Sequence, residues 1–318
     1  MTWQPSASID ALNARAKMNR LIRAFFESRG VLEVETPLLC RTTATDPHLN
    51  SFTVPAGGQE RYLQTSPEFC MKRLLAAGSG PIYQLCKAFR FEEQGRLHNP
   101  EFTLLEWYRT GFDHLDLMDD VERLLRHVLE DIPLLASVQH WIWRDLFREF
   151  AAIDPFAADV AELQALLQRQ GIETVGLQDA DRDAWLDLVM TQLIEPRLGA
   201  GLVFVRDYPA SQAALARVRP GNPPLASRFE VYLNGIELAN GFHELADAAE
   251  QGRRFEAENA ARARAGLPVL PVDRALLAAL ESGLPDCAGV ALGLDRLLLL
   301  TCGAGHIDEV LTFPFATA

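Results

Sequence analysis

Two aromatic-rich segments constrain this chain more than any other feature: Phe89-Arg90-Phe91-Glu92, and Asn99-Pro100-Glu101-Phe102-Thr103-Leu104-Leu105-Glu106-Trp107-Tyr108 after a short polar loop. Two such runs joined by a short loop predict an antiparallel hairpin. Arg90 and Glu92 stand two apart, so on an extended strand their side chains share one face. An arginine and a carboxylate held side by side can grip a phosphate and an amine or hydroxyl together. The return strand brings Phe102 and Glu106 towards the same pocket. A phosphate grip, an aromatic platform and an acidic group in one hairpin point to nucleotide chemistry.

Around that hairpin the pattern predicts a mainly antiparallel sheet flanked by helices, an α+β fold. Apolar residues recur at helical spacing over 8–29, and Gly30 is placed to end that helix. Val31–Pro37 reads as a strand, and 51–54 with 60–65 as a hairpin around Pro55–Gly58. Ser66-Pro67 opens a helix with serine as cap and proline in the first turn. Strands are expected at 82–85, 87–93 and 101–108, a helix at 115–130, and mostly helix over 144–200. Strands at 202–205, 228–233 and 236–243 follow, the last two joined by Asn234-Gly235. Helices at 247–265 and 273–282 precede a strand at 287–292 that runs into a helix at 294–301. No repeat or linker-like block interrupts the 318 residues, which are expected to form one domain.

The formal net charge is -13. Binding of a long nucleic acid rests on phosphate neutralisation and needs a basic surface, so that class of partner is disfavoured. Arg15, Lys17, Arg20, Arg23, Arg61 and Lys72 are the candidates for a local basic patch. The five cysteines are odd in number, widely spaced and without a C-x-x-C pair, as expected of reduced thiols in a cytoplasmic protein. The start, Met1-Thr2-Trp3-Gln4-Pro5, is no secretory signal, and no apolar run is long enough for a membrane span. A phosphate-binding G-x-x-x-x-G-K-[ST] loop, a G-x-G-x-x-G turn, H-E-x-x-H and G-x-S-x-G are all absent.

Three segments together resemble the catalytic core of the class II aminoacyl-tRNA synthetases. Residues 8–37 are similar to motif 1, the dimerisation element. Arg90 through Tyr108 is similar to motif 2, and Gly289-Val290-Ala291-Leu292-Gly293-Leu294-Asp295-Arg296 to motif 3. Within that class, Thr65-Ser66-Pro67-Glu68, Asn99–Thr103 and Gly235–Leu245 read like the lysyl-tRNA synthetases. The chain departs from them at its start, where motif 1 begins almost at once with no anticodon-binding barrel before it. In this it resembles the EpmA family of ligases, which attach (R)-β-lysine to a lysine of translation elongation factor P. Ala291, where lysyl-tRNA synthetases usually carry glycine, agrees with a pocket reshaped around a β-amino acid.

The resemblance implies ATP as substrate, Mg²⁺ as metal, lysine or β-lysine as the activated acid, elongation factor P as protein acceptor, a homodimer, and no tRNA. It implies that Arg90 and Arg296 are catalytic, Arg90 stabilising charge at the α-phosphate and Arg296 meeting the γ-phosphate or the adenine face. Arg90, Phe91, Glu92, Asn99, Phe102, Glu237, Leu238, Gly293 and Arg296 would bind ATP. Ser66, Pro67, Glu68, Tyr108, Glu244 and Ala291 would line the amino-acid site, and Glu237 and Glu244 would hold Mg²⁺. On the residues alone, an aromatic on a strand is ordinary core and a first-turn glutamate such as Glu68 is favoured by the helix dipole. Other readings stay open: a minimal lysyl-tRNA synthetase-like enzyme, a free-standing amino-acid ligase, or an inactive regulatory paralogue.

Overall fold

The computed structural model describes residues 3–130, 135, 137–174 and 181–318. The first stretch of elements comprises α1 (Ile9–Glu27), β1 (Leu32–Glu33), β2 (Leu39–Cys40), β3 (Thr53–Ala56), β4 (Gln59–Leu63), α2 (Glu68–Ala76), β5 (Ile82–Phe89), β6 (Glu101–Thr110) and α3 (His114–Val128). There follow β7 (Val138–Ile142), α4 (Trp143–Leu146), α5 (Val160–Arg169), α6 (Arg182–Val189), β8 (Leu202–Pro209), β9 (Val218–Arg219), β10 (Leu225–Leu233) and β11 (Ile236–His243). The last are α7 (Ala248–Arg264), α8 (Arg274–Gly283), β12 (Cys287–Gly293) and α9 (Leu294–Cys302). These elements fall into two compact units, Met1–Glu130 with Glu244–Ala318, and Asp131–His243.

In the first unit the strands run in the order β1-β5-β6-β12. β6 lies antiparallel to both β5 and β12, while β1 runs parallel to β5. Side chains alternate across β6, so Leu105 and Trp107 face one side, and Phe102, Glu106 and Tyr108 the other. The first side is core. Ser8 caps α1 by accepting from the Ala11 N–H, and the helix buries Met18, Ile22, Phe25 and Phe26. Phe26 stacks on Tyr83 at 4.3 Å and meets Trp107 at 5.5 Å. Each such ring removed from water contributes about 2–3 kcal/mol, which fixes the sheet against α1. The opposite face is left for polar groups.

In the second unit β11-β10-β8-β7 pair in that order, with β9 on β10. Asn234 (φ 51°) and Gly235 (φ 74°) form the tight turn between β10 and β11, a left-handed pair that asparagine and glycine tolerate. Trp143, Phe147, Leu163, Trp185, Ile194 and Val205 are among the residues of this unit's own core. Both units keep a largely antiparallel sheet flanked by helices; the parallel pairs are β1–β5 and β7–β8. Among the described residues no helix is long and apolar enough to cross a membrane.

Several expected boundaries move for physical reasons. The strand expected over Val31–Pro37 shrinks to the two residues of β1. Pro55 lies inside β3, opposite Glu60, and Gly57-Gly58 makes the turn instead. β3 is an edge strand, where the missing N–H costs nothing. β5 is one strand and stops at Phe89, so Arg90–Glu93 is not extended. Phe91 and Glu92 form a turn, and Glu92 has φ 68°. The expectation that Arg90 and Glu92 share a strand face is therefore wrong. The helical character of 144–200 holds for helices and π-turns on either side of 175–180, and those six residues lie outside the described ones. Alternation too short to separate from a helix edge hid β7 and β9.

Candidate active site

The polar face of the first unit's sheet is organised by a buried lysine. Ser66 accepts from the Glu68 N–H at 3.3 Å just ahead of α2, but Pro67 holds the N-cap position with no side-chain capping bond, so the expected serine cap is displaced by one residue. Glu68 and Lys72 then stand one turn apart on α2, and Lys72 is 1% exposed. Its ammonium lies 2.6 Å from Glu68 Oε1 and 2.6 Å from Glu244 Oε2. A buried lysine is tolerated only with its charge answered, and two carboxylates answer it here. Their attraction outweighs burial and raises its pKa. Lys72 therefore leaves the surface basic patch suggested by sequence. Arg15 and Arg23 leave it too, through ion pairs with Asp295 and Glu33.

One more acidic group, Glu106, faces this lysine. Burial, reinforced by Glu68, pushes the Glu106 carboxyl well above the usual carboxylate range. Burial also lifts Glu244 to about 8, against the pull of Lys72. Tyr108 donates to Glu106 Oε1 at 2.8 Å, while Glu106 Oε2 is buried with no hydrogen-bond partner among the described residues. Tyr108 sits opposite Gly289 across the β6–β12 pair, and Glu106 opposite Ala291. A Cβ on Gly289 would fall 2.2 Å from Tyr108 Cε1 and 2.6 Å from Glu244 Oε1. Glycine is what lets Tyr108 and Glu244 meet over β12. Three carboxyls answered by one ammonium make a closed site with capacity for further cations.

The two arginines enter from the ends of the same strands. Arg90 follows β5, its guanidinium 5.1 Å from the centre of the Phe102 ring and 3.6 Å from Glu93 Oε1. Its Nε is buried without an acceptor among the described residues. Arg296 lies in the first turn of α9, where its Nε donates to Leu97 O at 3.3 Å and its Nη2 to His98 Nε2 at 2.5 Å. Gly293 is the N-cap residue of that helix. Phe91 is half-exposed and meets Phe52 edge-on at 5.2 Å. The Asn99 side chain donates to Glu101 O at 2.6 Å and accepts from Phe315 N at 3.0 Å. It thus braces the loop between β5 and β6. Glu92 is exposed on its turn.

Glu237 and Leu238 belong to the second unit, on β11, with Leu238 buried and Glu237 half-buried. Glu237 pairs in register with Tyr232 of the neighbouring β10; burial raises the pKa of Tyr232 and of Tyr208 on β8, and the charge of Glu237 adds to it. Among the described residues no group of three or more His, Cys, Asp or Glu could hold a metal ion.

The model of class II tRNA synthetases of the D, K and N group matches residues 2–317. The chain belongs to that family. Similar members of this class II family include a protein of Vibrio cholerae named elongation factor P–(R)-β-lysine ligase, 51% identical over 99% of this chain and 98% of its own. One of Vibrio vulnificus with the same name is 50% identical over 99% of each chain. A third, from Klebsiella pneumoniae, is 49% identical over 98% of this chain and 97% of its own.

Of the expected class II site residues, the first unit brings Glu68, Tyr108, Glu244 and Ala291 to one sheet face, with Ser66 and Pro67 starting the helix that carries Glu68. The sequence predicts Lys72 at the surface, and it brings Glu106 towards the pocket as its acidic group without placing it among the ATP-binding or amino-acid-binding residues. The signal for Glu106 was present, because it stands two residues before Tyr108 on the same strand. For Lys72 the signal was its i,i+4 spacing from Glu68.

Proposed function

We propose that this chain is an ATP-dependent, AMP-forming ligase that activates (R)-β-lysine and transfers it to a lysine of elongation factor P. What carries the proposal is the cluster of Glu68 from α2, Glu106 from β6 and Glu244 just after β11, with β6 lying between β5, which leads to Arg90, and β12, which leads to Arg296. A diamino acid brings ammonium groups that such a cluster can neutralise. The name shared by full-length relatives of about half identity, as in the 51% case, supports the same substrate and acceptor.

In the first step a carboxylate oxygen of the amino acid attacks the α-phosphorus of ATP. The bond to the β-phosphate bridging oxygen breaks, and pyrophosphate leaves. Arg90 stabilises charge at the α-phosphate, and its unpartnered Nε is a donor ready for it. Arg296 holds the nucleotide from the other end of the site. Phe102 offers a ring for the adenine. In the second step the ε-amine of the acceptor lysine attacks the acyl carbon, AMP departs, and the amine loses a proton as the amide forms. Positioning and charge stabilisation suffice, so no protein nucleophile is needed.

Glu244 does not suit a magnesium ion, because its carboxyl is already engaged by Lys72 and by the Gly289 backbone N–H. Glu237 is a hard oxygen donor that fits one, with water and phosphate oxygens completing the shell. When bound, the ion would neutralise the triphosphate. Exposed Ile9 and Leu32 support pairing of two copies through 8–37. The net charge of -13 favours a protein acceptor over tRNA.

Mass spectrometry of elongation factor P after incubation with the enzyme, ATP and each lysine isomer tests this. The expected result is one added β-lysyl group on a lysine, formed from the R isomer. Unmodified factor with every isomer, together with charged tRNA, would overturn it.

A further inference from the structure

Arg15 lies midway along α1, far in sequence from every site residue, yet its guanidinium is paired with the carboxylate of Asp295. Asp295 is the residue before Arg296 in the first turn of α9, and its side chain is 4% exposed. Its other oxygen accepts from the Thr103 N–H of β6 at 2.7 Å. One carboxylate thus joins three elements: α1, the return strand of the hairpin, and the helix that carries Arg296. A carboxylate this deeply buried needs its charge answered, and Arg15 Nη2 does so at one oxygen while the Thr103 N–H holds the other. The Arg296 side chain leaves the same helical turn and reaches Leu97 O and His98 Nε2, at the far end of the hairpin loop. The direction of Arg296 is set by that turn, and Asp295 sets the turn.

We infer that Arg15 is a positioning residue for nucleotide binding, acting through Asp295 to fix the first turn of α9 and aim Arg296 at ATP. The inference rests on the assignment of Arg296 to the nucleotide given above. Arg15 touches no reacting atom, so its loss is felt where Arg296 acts and not in the carboxylate cluster that receives the amino acid.

The experiment is ATP–pyrophosphate exchange with either substrate varied, on R15Q, R15K, D295N, the R15Q/D295N double and R296A. In R15Q the KM for ATP is expected to rise on the order of 10-fold or more, the cost of a misdirected binding group. The KM for the amino acid stays at the parental value. The double variant is expected to be no worse than R15Q, because a neutral amide in place of the Asp295 carboxylate no longer needs the guanidinium. A parental KM for ATP in R15Q, equal changes in both KM values, or costs that simply add in the double would each overturn the inference. If R15Q fails to fold, R15K decides. A lysine keeps the charge on a side chain one atom shorter, which cannot place a donor where Arg15 Nη2 stands, so its KM for ATP must rise at least about twofold with the amino-acid KM unmoved. A parental value there overturns the inference. R296A separates the two levels. Unchanged exchange in R296A removes the nucleotide assignment itself, whereas lost exchange in R296A beside a parental R15Q removes only the role of Arg15.

Discussion

Glu106 shows how much a single buried atom decides. Its Oε1 is held by the Tyr108 hydroxyl, and Oε2 has no partner among the described residues. Leaving a buried carboxyl half-satisfied is costly in a pocket built only for stability. The cost is sensible where a ligand ammonium completes the site. In E106Q the Tyr108 hydrogen bond can persist, but an amide N–H₂ stands where an ammonium needs an acceptor. The KM for the diamino acid is expected to rise roughly 10–100-fold, the worth of a hydrogen bond to a charged group. The KM for ATP should not move. Steady-state exchange with each substrate varied checks both, and an unchanged amino-acid KM would remove Glu106 from the site.

At the level of elements, β12 is the constraint. Gly289 sits under Tyr108 and Glu244, and both are fully buried, so neither can retreat from an added methyl. G289A should therefore destabilise the fold by about 1–3 kcal/mol, as overpacking does, and abolish amino-acid activation. Chemical denaturation and pyrophosphate exchange measure the two effects; a normally active G289A would mean that β12 does not set the pocket. The composition of β12 was legible in the sequence as a glycine-spaced strand running into a helix, and so was the hairpin of β5 and β6. The turn at Phe91-Glu92 was not. Apolar residues at 89 and 91 continue the strand alternation, and only the backbone hydrogen bond from Phe91 N to Asn50 O at 2.7 Å pulls the chain out of the sheet. That partner lies forty-one residues away and leaves no local signature. Lys72 carries a local signal in its spacing from Glu68, but its burial also depends on Glu244, which lies far away in the sequence.

Over the whole molecule, the buried acids couple folding to pH. Glu244 is faced by Glu68 and Lys72 of α2, by Glu106 and Tyr108 of β6, and by the Gly289 N–H of β12. In the folded, empty protein it keeps its proton up to about pH 8, against 4.5 for an ordinary glutamate. Between those values the folded state holds more protons than the unfolded chain. This contribution to stability is complete below about 4.5 and is lost as pH rises through about 8. An ammonium-bearing ligand reverses the balance, because it favours the ionised carboxylates and displaces their protons. The stabilisation that β-lysine gives should therefore grow as pH rises through the same window. Thermal unfolding of the wild type and E244Q, each with and without β-lysine across that range, measures the linkage. The wild type alone should lose melting temperature relative to E244Q as pH rises. A ligand-induced shift in the wild type that stays constant with pH would mean that the cluster meets its substrate already ionised, and that burial does not govern these carboxyls.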